Sequence, residues 1–103
     1  PFGIPDFKRK KVKAYNVKNY LNSLYLRFEV KDKPGVLSQI TQELARRKIS
    51  VERLIQIPDH KRKTASIVII THKANEFNAQ KCIKSIKSNK NILKSPILIR
   101  LFK

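Results

Sequence analysis

The segment LYLRFEVKDKPGVL, residues 24–37, decides the fold because it joins a strand pattern to a helix pattern. Apolar and polar side chains alternate in its first half, and this period of two predicts a strand with one face on a core. The apolar positions are Leu24, Leu26, Phe28 and Val30. The strand ends at Asp32-Lys33-Pro34-Gly35. We expect a helix to start at Pro34, whose missing N–H costs nothing there, with Asp32 as its cap.

The residues after Gly35 recur at helical spacing. We expect a buried stripe on this helix formed by Val36, Leu37, Ile40, Leu44 and Ala45. The opposite, solvent-facing side would carry Gln42, Glu43, Arg46 and Arg47. This pattern predicts one amphipathic helix that packs on the strand before it.

The rest of the chain predicts three more strands and a second helix. Residues 49–57 and 65–71 are rich in β-branched side chains, with a polar, hairpin-like stretch over 58–63. The second amphipathic helix has its apolar positions at Phe77, Ala79, Cys82, Ile83 and Ile86. A short strand over 97–102 follows Pro96.

The element order is strand, helix, strand, strand, helix, strand. This order predicts an α+β, ferredoxin-like βαββαβ fold, in which a four-stranded antiparallel sheet carries two helices on one face. We expect residues 23–103 to form this domain and residues 1–22 to be a linker from an upstream domain. Val51, Leu54 and Ile55 cannot all point inward, so the second strand is expected to offer apolar surface to a partner.

Composition narrows the class of protein. The chain has 103 residues, one cysteine and a net charge of +17. It contains 17 Lys, 13 Ile and 7 Asn, and all three residue types have AT-rich codons. We therefore prefer codon bias to nucleic-acid binding as the explanation of the positive charge. No apolar run reaches the ~18–20 residues of a membrane span, and no signal peptide is evident. We therefore expect a cytoplasmic protein with no membrane or nucleic-acid partner.

The sequence offers no catalytic or metal site. His60 and His72 lack a cysteine or carboxylate at metal-ligand spacing, so no metal is expected. With two glycines there is no Gly-rich phosphate loop, and no cofactor is expected for this segment. Cys82 lies in an apolar stripe, where core packing is far commoner than nucleophilic chemistry.

The turn over residues 32–37 is the most informative feature for function. If the helix opens here, the N–H groups of Gly35, Val36 and Leu37 would be free donors backed by the helix dipole, which suits a carboxylate. Asp32 could then meet an ammonium group, and together these groups would recognise a free amino acid. A plain tight turn explains the same residues equally well.

The chain resembles ACT domains, the small amino-acid-sensing regulatory modules. The residues that carry this resemblance are Asp32-Lys33-Pro34-Gly35-Val36-Leu37 followed by Ile49-Ser50-Val51-Glu52. Over residues 1–5 and 24–103 it also resembles the C-terminal end of bacterial homoserine dehydrogenases. That second resemblance rests on Pro1-Phe2-Gly3-Ile4-Pro5, Leu24-Tyr25-Leu26-Arg27, Ile55-Gln56, Thr71-His72 and Pro96-Ile97-Leu98-Ile99-Arg100.

The resemblance implies a regulatory tail on an NAD(P)-dependent oxidoreductase that interconverts aspartate semialdehyde and homoserine. It implies self-association and binding of L-threonine or another small amino acid between copies. By that carry-over the effector site would consist of Asp32, Pro34, Gly35, Val36 and Leu37, with Glu52 and Gln56 as further lining residues. The alternatives are a structural dimerisation tail without a ligand and a basic nucleic-acid-binding module.

Overall fold

The alternating strand pattern lies at the centre of the sheet. The computed structural model describes residues 21–101. In chain order its elements are β1 (Leu21–Lys31), α1 (Val36–Arg46), β2 (Val51–Asp59), β3 (Thr64–Thr71), β4 (Ala74–Asn75), α2 (Glu76–Lys87) and β5 (Ile97–Leu101). The predicted linker over 1–22 lies outside the described residues, except that Leu21 and Asn22 begin β1.

The sheet is antiparallel, with β1 between β3 and β5 and with β2 at the edge beyond β3. In its register Leu26 faces Ile69 on one side and Leu98 on the other. The two-residue β4 pairs with the beginning of β1. The predicted ferredoxin-like class is therefore confirmed, with β4 as a small addition.

The core forms between the sheet and the two helices. Four positions of β1 at a spacing of two are at most 2% exposed, as the alternation predicted. The largest fully buried side chains are Phe28, Leu24, Leu26, Ile40, Leu44, Ile67 and Ile69. Burial of a leucine, isoleucine or phenylalanine side chain stabilises the fold by about 1.5–3 kcal/mol each. Cys82 is fully buried in this core, and burial raises the pKa of its thiol to about 11.

The start of α1 differs from the prediction. The helix begins at Val36, and its N-cap is Gly35, with φ of 89° and no side-chain cap. Pro34 and Gly35 instead form a turn, in which the Val36 N–H donates to the Lys33 carbonyl at 3.3 Å. The expectations that Pro34 opens the helix and Asp32 caps it were wrong, because a left-handed residue at position 35 cannot lie inside a right-handed helix.

Two residues of α1 face the opposite way from the prediction. Glu43 is buried, whereas Ala45 is exposed. The Glu43 carboxylate accepts hydrogen bonds from Arg46 at 2.7 Å and from Arg47 at 3.1 Å. Two guanidinium partners supply the charge compensation that a buried carboxylate requires.

The edge strand β2 is exposed along most of its length. This agrees with the expectation that its apolar residues cannot all point inward. Ile55 and Ile57 are about half exposed, and only Leu54 is half-buried. The strand begins at Val51 and not at residue 49, because Ile49 is buried against the core before the strand starts. Apolar surface is thus available for a partner on this side of the domain.

Candidate functional site

The open start of α1 is the candidate site. Among the described residues, the N–H groups of Gly35, Leu37 and Ser38 have no backbone acceptor, whereas that of Val36 is engaged by Lys33. A helix N-terminus with unsatisfied donors carries a partial positive charge of about half an electron. The site therefore has three N–H donors, but Ser38 replaces Val36 in the predicted set.

Space above the turn is open. A side-chain carbon built on Gly35 would meet no atom of residues 21–101 within 4 Å, so glycine is needed for its left-handed backbone and not for lack of room. Pro34 is exposed beside it and fixes the backbone angle that precedes this glycine. The described residues thus leave the space beside Gly35 open.

Two neighbouring segments hold the turn in place. The Asp32 N–H donates to the Lys63 carbonyl at 2.9 Å, which ties the turn to the β2–β3 hairpin. The Lys31 N–H donates to the Asn91 carbonyl at 2.9 Å, and the Leu93 N–H donates to the Glu29 carbonyl at 2.8 Å. The turn is therefore anchored by backbone contacts on both sides of β1.

This end of the domain is strongly positive. Exposed lysines stand on the turn, on the hairpin and on the loop before β5, at Lys31, Lys33, Lys61, Lys63, Lys90 and Lys94. Asp32 is an exposed carboxylate within this group, and Asp59 is paired with Arg62. The positive potential of these lysines favours the carboxylate of a ligand. Asp32 is the group suited to an ammonium ion.

The structure brings together only part of the predicted site within one chain. Asp32, Pro34, Gly35, Val36 and Leu37 lie together at the end of β1. Gln56 lies three residues along β2 from Asp59 at that same end, about 10 Å at the usual rise of a strand. Glu52 lies seven residues away, about 23 Å, at the register irregularity between Val51 and Arg53. Glu52 could line a site at this turn only from a second copy.

A polar network on the sheet face opposite α1 and α2 was not anticipated from the sequence. The Glu29 carboxylate accepts hydrogen bonds from Arg27 at 2.7 Å and from the Ser66 hydroxyl at 2.6 Å, across the β1–β3 pairing. Partial burial opposes ionisation, but the bonds from Ser66 and Arg27 and the Arg27 charge hold the pKa of Glu29 below its usual value. The cross-strand register, in which Glu29 faces Ser66, was the missing information.

Apolar side chains flank this network. Ile55 and Ile57 stand on one side, and Ile97 and Ile99 stand on the other, each about half exposed. Four half-exposed isoleucines on a sheet face that neither α1 nor α2 covers are typical of a surface that packs on another protein surface. Self-association is one use that such a face allows.

Other kinds of site find little support in the described part of the chain. No three His, Cys, Asp or Glu side chains of residues 21–101 gather in an arrangement that could hold a metal ion. Within the same residues, neither helix has the length and apolarity needed to span a membrane. His60 and His72 are exposed, one in the hairpin turn and one after β3.

Comparisons with known proteins agree with this architecture. The family model described as the ACT domain matches residues 24–91, more than half of the chain. A homoserine dehydrogenase from Neisseria gonorrhoeae is 39% identical over 80 residues, which cover 78% of this chain and 18% of that protein. The chain thus spans less than a fifth of the length of this relative.

Two solved structures are similar to the chain. A homoserine dehydrogenase from Thiobacillus denitrificans superposes with a TM-score of 0.74 and 27% identity, over 85% of this chain and 19% of that one. The ACT domain from a GTP pyrophosphokinase of Chlorobium tepidum has a TM-score of 0.60 and 14% identity, over 79% of this chain and 99% of that one. At this low identity the similarity shows the fold alone. The chain therefore belongs to the ACT domain family, and its sequence relatives place it with the ACT domains of homoserine dehydrogenases.

Proposed function

We propose that this chain is a regulatory domain that senses L-threonine or another small amino acid. The observation that supports the proposal is the open start of α1, where the N–H donors of Gly35, Leu37 and Ser38 have no backbone acceptor in the part of the chain that the structure describes. These donors would bind the carboxylate of the amino acid. Asp32 is exposed and lies three residues before Gly35, and its carboxylate would bind the ammonium group of the amino acid.

The site is completed by a second copy of the chain. Within one copy, Glu52 lies at the far end of β2 from the turn, and β2 is an exposed edge strand. If the β2 strand of one copy lies against the turn of the other, Glu52 and Gln56 line the bound amino acid. The exposed apolar side chains of β2 supply the contact area for such a pair.

The mechanism is allosteric. An amino acid that binds one arrangement of the paired domains better than another shifts the population toward it, and by no more than its difference in affinity. The catalytic part upstream would respond to that arrangement. The activity proposed for the whole protein is the NAD(P)-dependent interconversion of aspartate semialdehyde and homoserine, with the nicotinamide cofactor bound by the catalytic part alone.

Thermal unfolding with a panel of ligands tests the proposal. L-threonine is expected to raise the Tm, because a ligand that binds only the folded state stabilises it. N-acetyl-L-threonine lacks the ammonium group and L-threoninamide lacks the carboxylate, so each is expected to give a much smaller shift. Equal shifts with all three compounds would contradict recognition by Asp32 and the helix start.

The second candidate function is a dimerisation tail without a ligand. The exposed isoleucines of β2 and β5 favour it, since a partner surface is needed whether or not an amino acid binds. Sedimentation equilibrium separates the two functions. Self-association that is unaffected by any amino acid supports the tail, and self-association that tightens with threonine supports the sensor.

A further inference from the structure

A groove of about 640 Å³ lies along α2, beside the segment that leads into β5. Its floor is apolar and half-buried, and it is formed by Phe77, Ile83 and Pro96. Its rim carries three exposed lysines from successive turns of the helix, Lys81, Lys84 and Lys87. The groove is remote in sequence from the turn over residues 32–37 and shares no residue with it.

The rim lysines have no carboxylate partner among the described residues. The ion pairs of Glu29, Glu43, Asp59 and Glu76 are made with arginines. Glu76 is the one acidic residue of α2, and it accepts hydrogen bonds from Arg100. The Lys81 Nζ lies 4.6 Å from the centre of the Phe77 ring, so a cation–π contact holds that ammonium group over the groove. The rim therefore presents uncompensated positive charge beside an apolar floor.

A second copy of this chain does not suit the groove. The chain has a net charge of +17, with 17 more basic than acidic residues, and the carboxylates of Glu29, Glu43, Asp59 and Glu76 are engaged in ion pairs. A partner copy would bring like charge and few carboxylates. The complementary surface must come from another polypeptide.

The shape of the groove favours a polypeptide over a nucleic acid. Single-stranded nucleic acids bind by stacking bases on open aromatic faces. Phe77 is the aromatic side chain that lines the groove, and its ring is covered by the Lys81 ammonium group. By contrast, lysines three residues apart repeat at about 4.5 Å along the helix axis, the same interval as acidic side chains at i and i+3 of a partner helix.

We propose that this groove is the docking surface for an acidic amphipathic helix from outside this chain. Its carboxylates would pair with Lys81, Lys84 and Lys87, and an apolar side chain would fill the floor over Ile83. Charge complementarity of this kind sets specificity and association rate at an interface. The inference goes beyond amino-acid sensing and does not depend on it.

Fluorescence anisotropy of the 103-residue chain tests the docking surface at physiological salt. The probe is a fluorescein-labelled helical peptide of three turns, with Glu at i, i+3 and i+6 and Leu between them. The groove variant K81Q/K84Q/K87Q is expected to bind it about tenfold or more weakly, because it loses the charges that face the peptide. The control variant K61Q/K73Q/K90Q loses the same charge elsewhere and is expected to change the Kd by less than about twofold.

Three results would overturn the proposal. The first is no saturable binding of the peptide by the unchanged chain. The second is equally weakened peptide binding in the two triple variants, which would show that overall charge, and not the groove, governs binding. The third is displacement of the peptide by polyuridylate at equal charge concentration, which would indicate a general polyanion surface. Circular dichroism checks that both variants are folded, and the single variant K84Q replaces the triple variant if it is not.

Discussion

The two helices of this domain begin in opposite ways. At the start of α2, the Asn75 side chain accepts hydrogen bonds from the N–H groups of Phe77 at 2.8 Å and Asn78 at 3.2 Å, and Glu76 lies in the first turn. The start of α1 has a glycine cap, no side-chain cap and no acidic residue in its first turn. One helix start is closed by its own side chains, and the other is open.

We propose that the two helix starts have different tasks. A capping side chain satisfies donors and stabilises the helix by about 1 kcal/mol, so the start of α2 serves folding. The start of α1 forgoes that stabilisation and keeps its donors and dipole available to a ligand. Changes at the α1 start should therefore alter ligand binding, and changes at the α2 start should alter stability.

The largest effect is expected from Gly35→Val. A β-branched residue at φ of 89° costs roughly 1–2 kcal/mol in backbone strain, so the turn must change shape and move its N–H donors. We expect loss of saturable threonine binding in calorimetry while circular dichroism still reports a folded domain. Gly35→Asn is the matched control, because asparagine tolerates the left-handed region. Unchanged affinity in Gly35→Val would contradict the assigned site.

A smaller effect is expected from Asp32→Ala, which removes the proposed ammonium partner. A charge-assisted hydrogen bond of about 1.5 kcal/mol corresponds to a Kd for threonine about tenfold higher. Asp59→Asn is the control, since this carboxylate lies on the adjacent hairpin and pairs with Arg62. A similar loss in both variants would show that overall charge, and not the position of Asp32, governs binding.

Opening the closed helix start should affect stability alone. Asn75→Ala removes the acceptor of two N–H groups and is expected to lower the free energy of unfolding by about 1 kcal/mol, measured in urea. The Kd for threonine is expected to stay the same. A change in that Kd would mean that the two helix starts are coupled and would end the division of tasks proposed for them.

The smallest effect concerns Glu29 on β1, the strand that leads to the open helix start. Its pKa is lowered in the folded state, so its contribution to stability is present above the ordinary value of 4.5 and is lost as the pH falls through the folded pKa. We expect Ser66→Ala to destabilise the domain slightly at pH 7 and to have less effect at pH 3. An equal effect in thermal unfolding at both pH values would show that the Ser66 bond does not depend on the charge of Glu29.

The sequence predicted the strands better than the helix start. The alternation of apolar and polar residues from Leu24 to Val30 follows from a strand with one buried face. The apolar positions of this segment are buried in the structure. A Pro-Gly pair fits both a helix opening and a tight turn, because the φ of glycine is free until tertiary contacts fix it. Here the bond from Asp32 to Lys63, more than thirty residues away, helps to decide for the turn.

The burial of Glu43 and the position of Glu52 could not be predicted from the sequence, for different reasons. Two arginines within four residues of Glu43 fit an exposed ion pair as well as a buried one, so the pattern does not choose between them. Glu52 was grouped with the turn by resemblance, but the strand register separates them within one copy. A site shared by two copies cannot be located from the periodicity of one.

Calorimetric titration of the purified chain with L-threonine at physiological salt tests amino-acid binding at the start of α1. We expect saturable heat with one ligand, or half a ligand, per chain, because the proposed site at the start of α1 is shared between two copies. The absence of heat from a folded, self-associated chain would contradict it and would make the domain a structural pairing module.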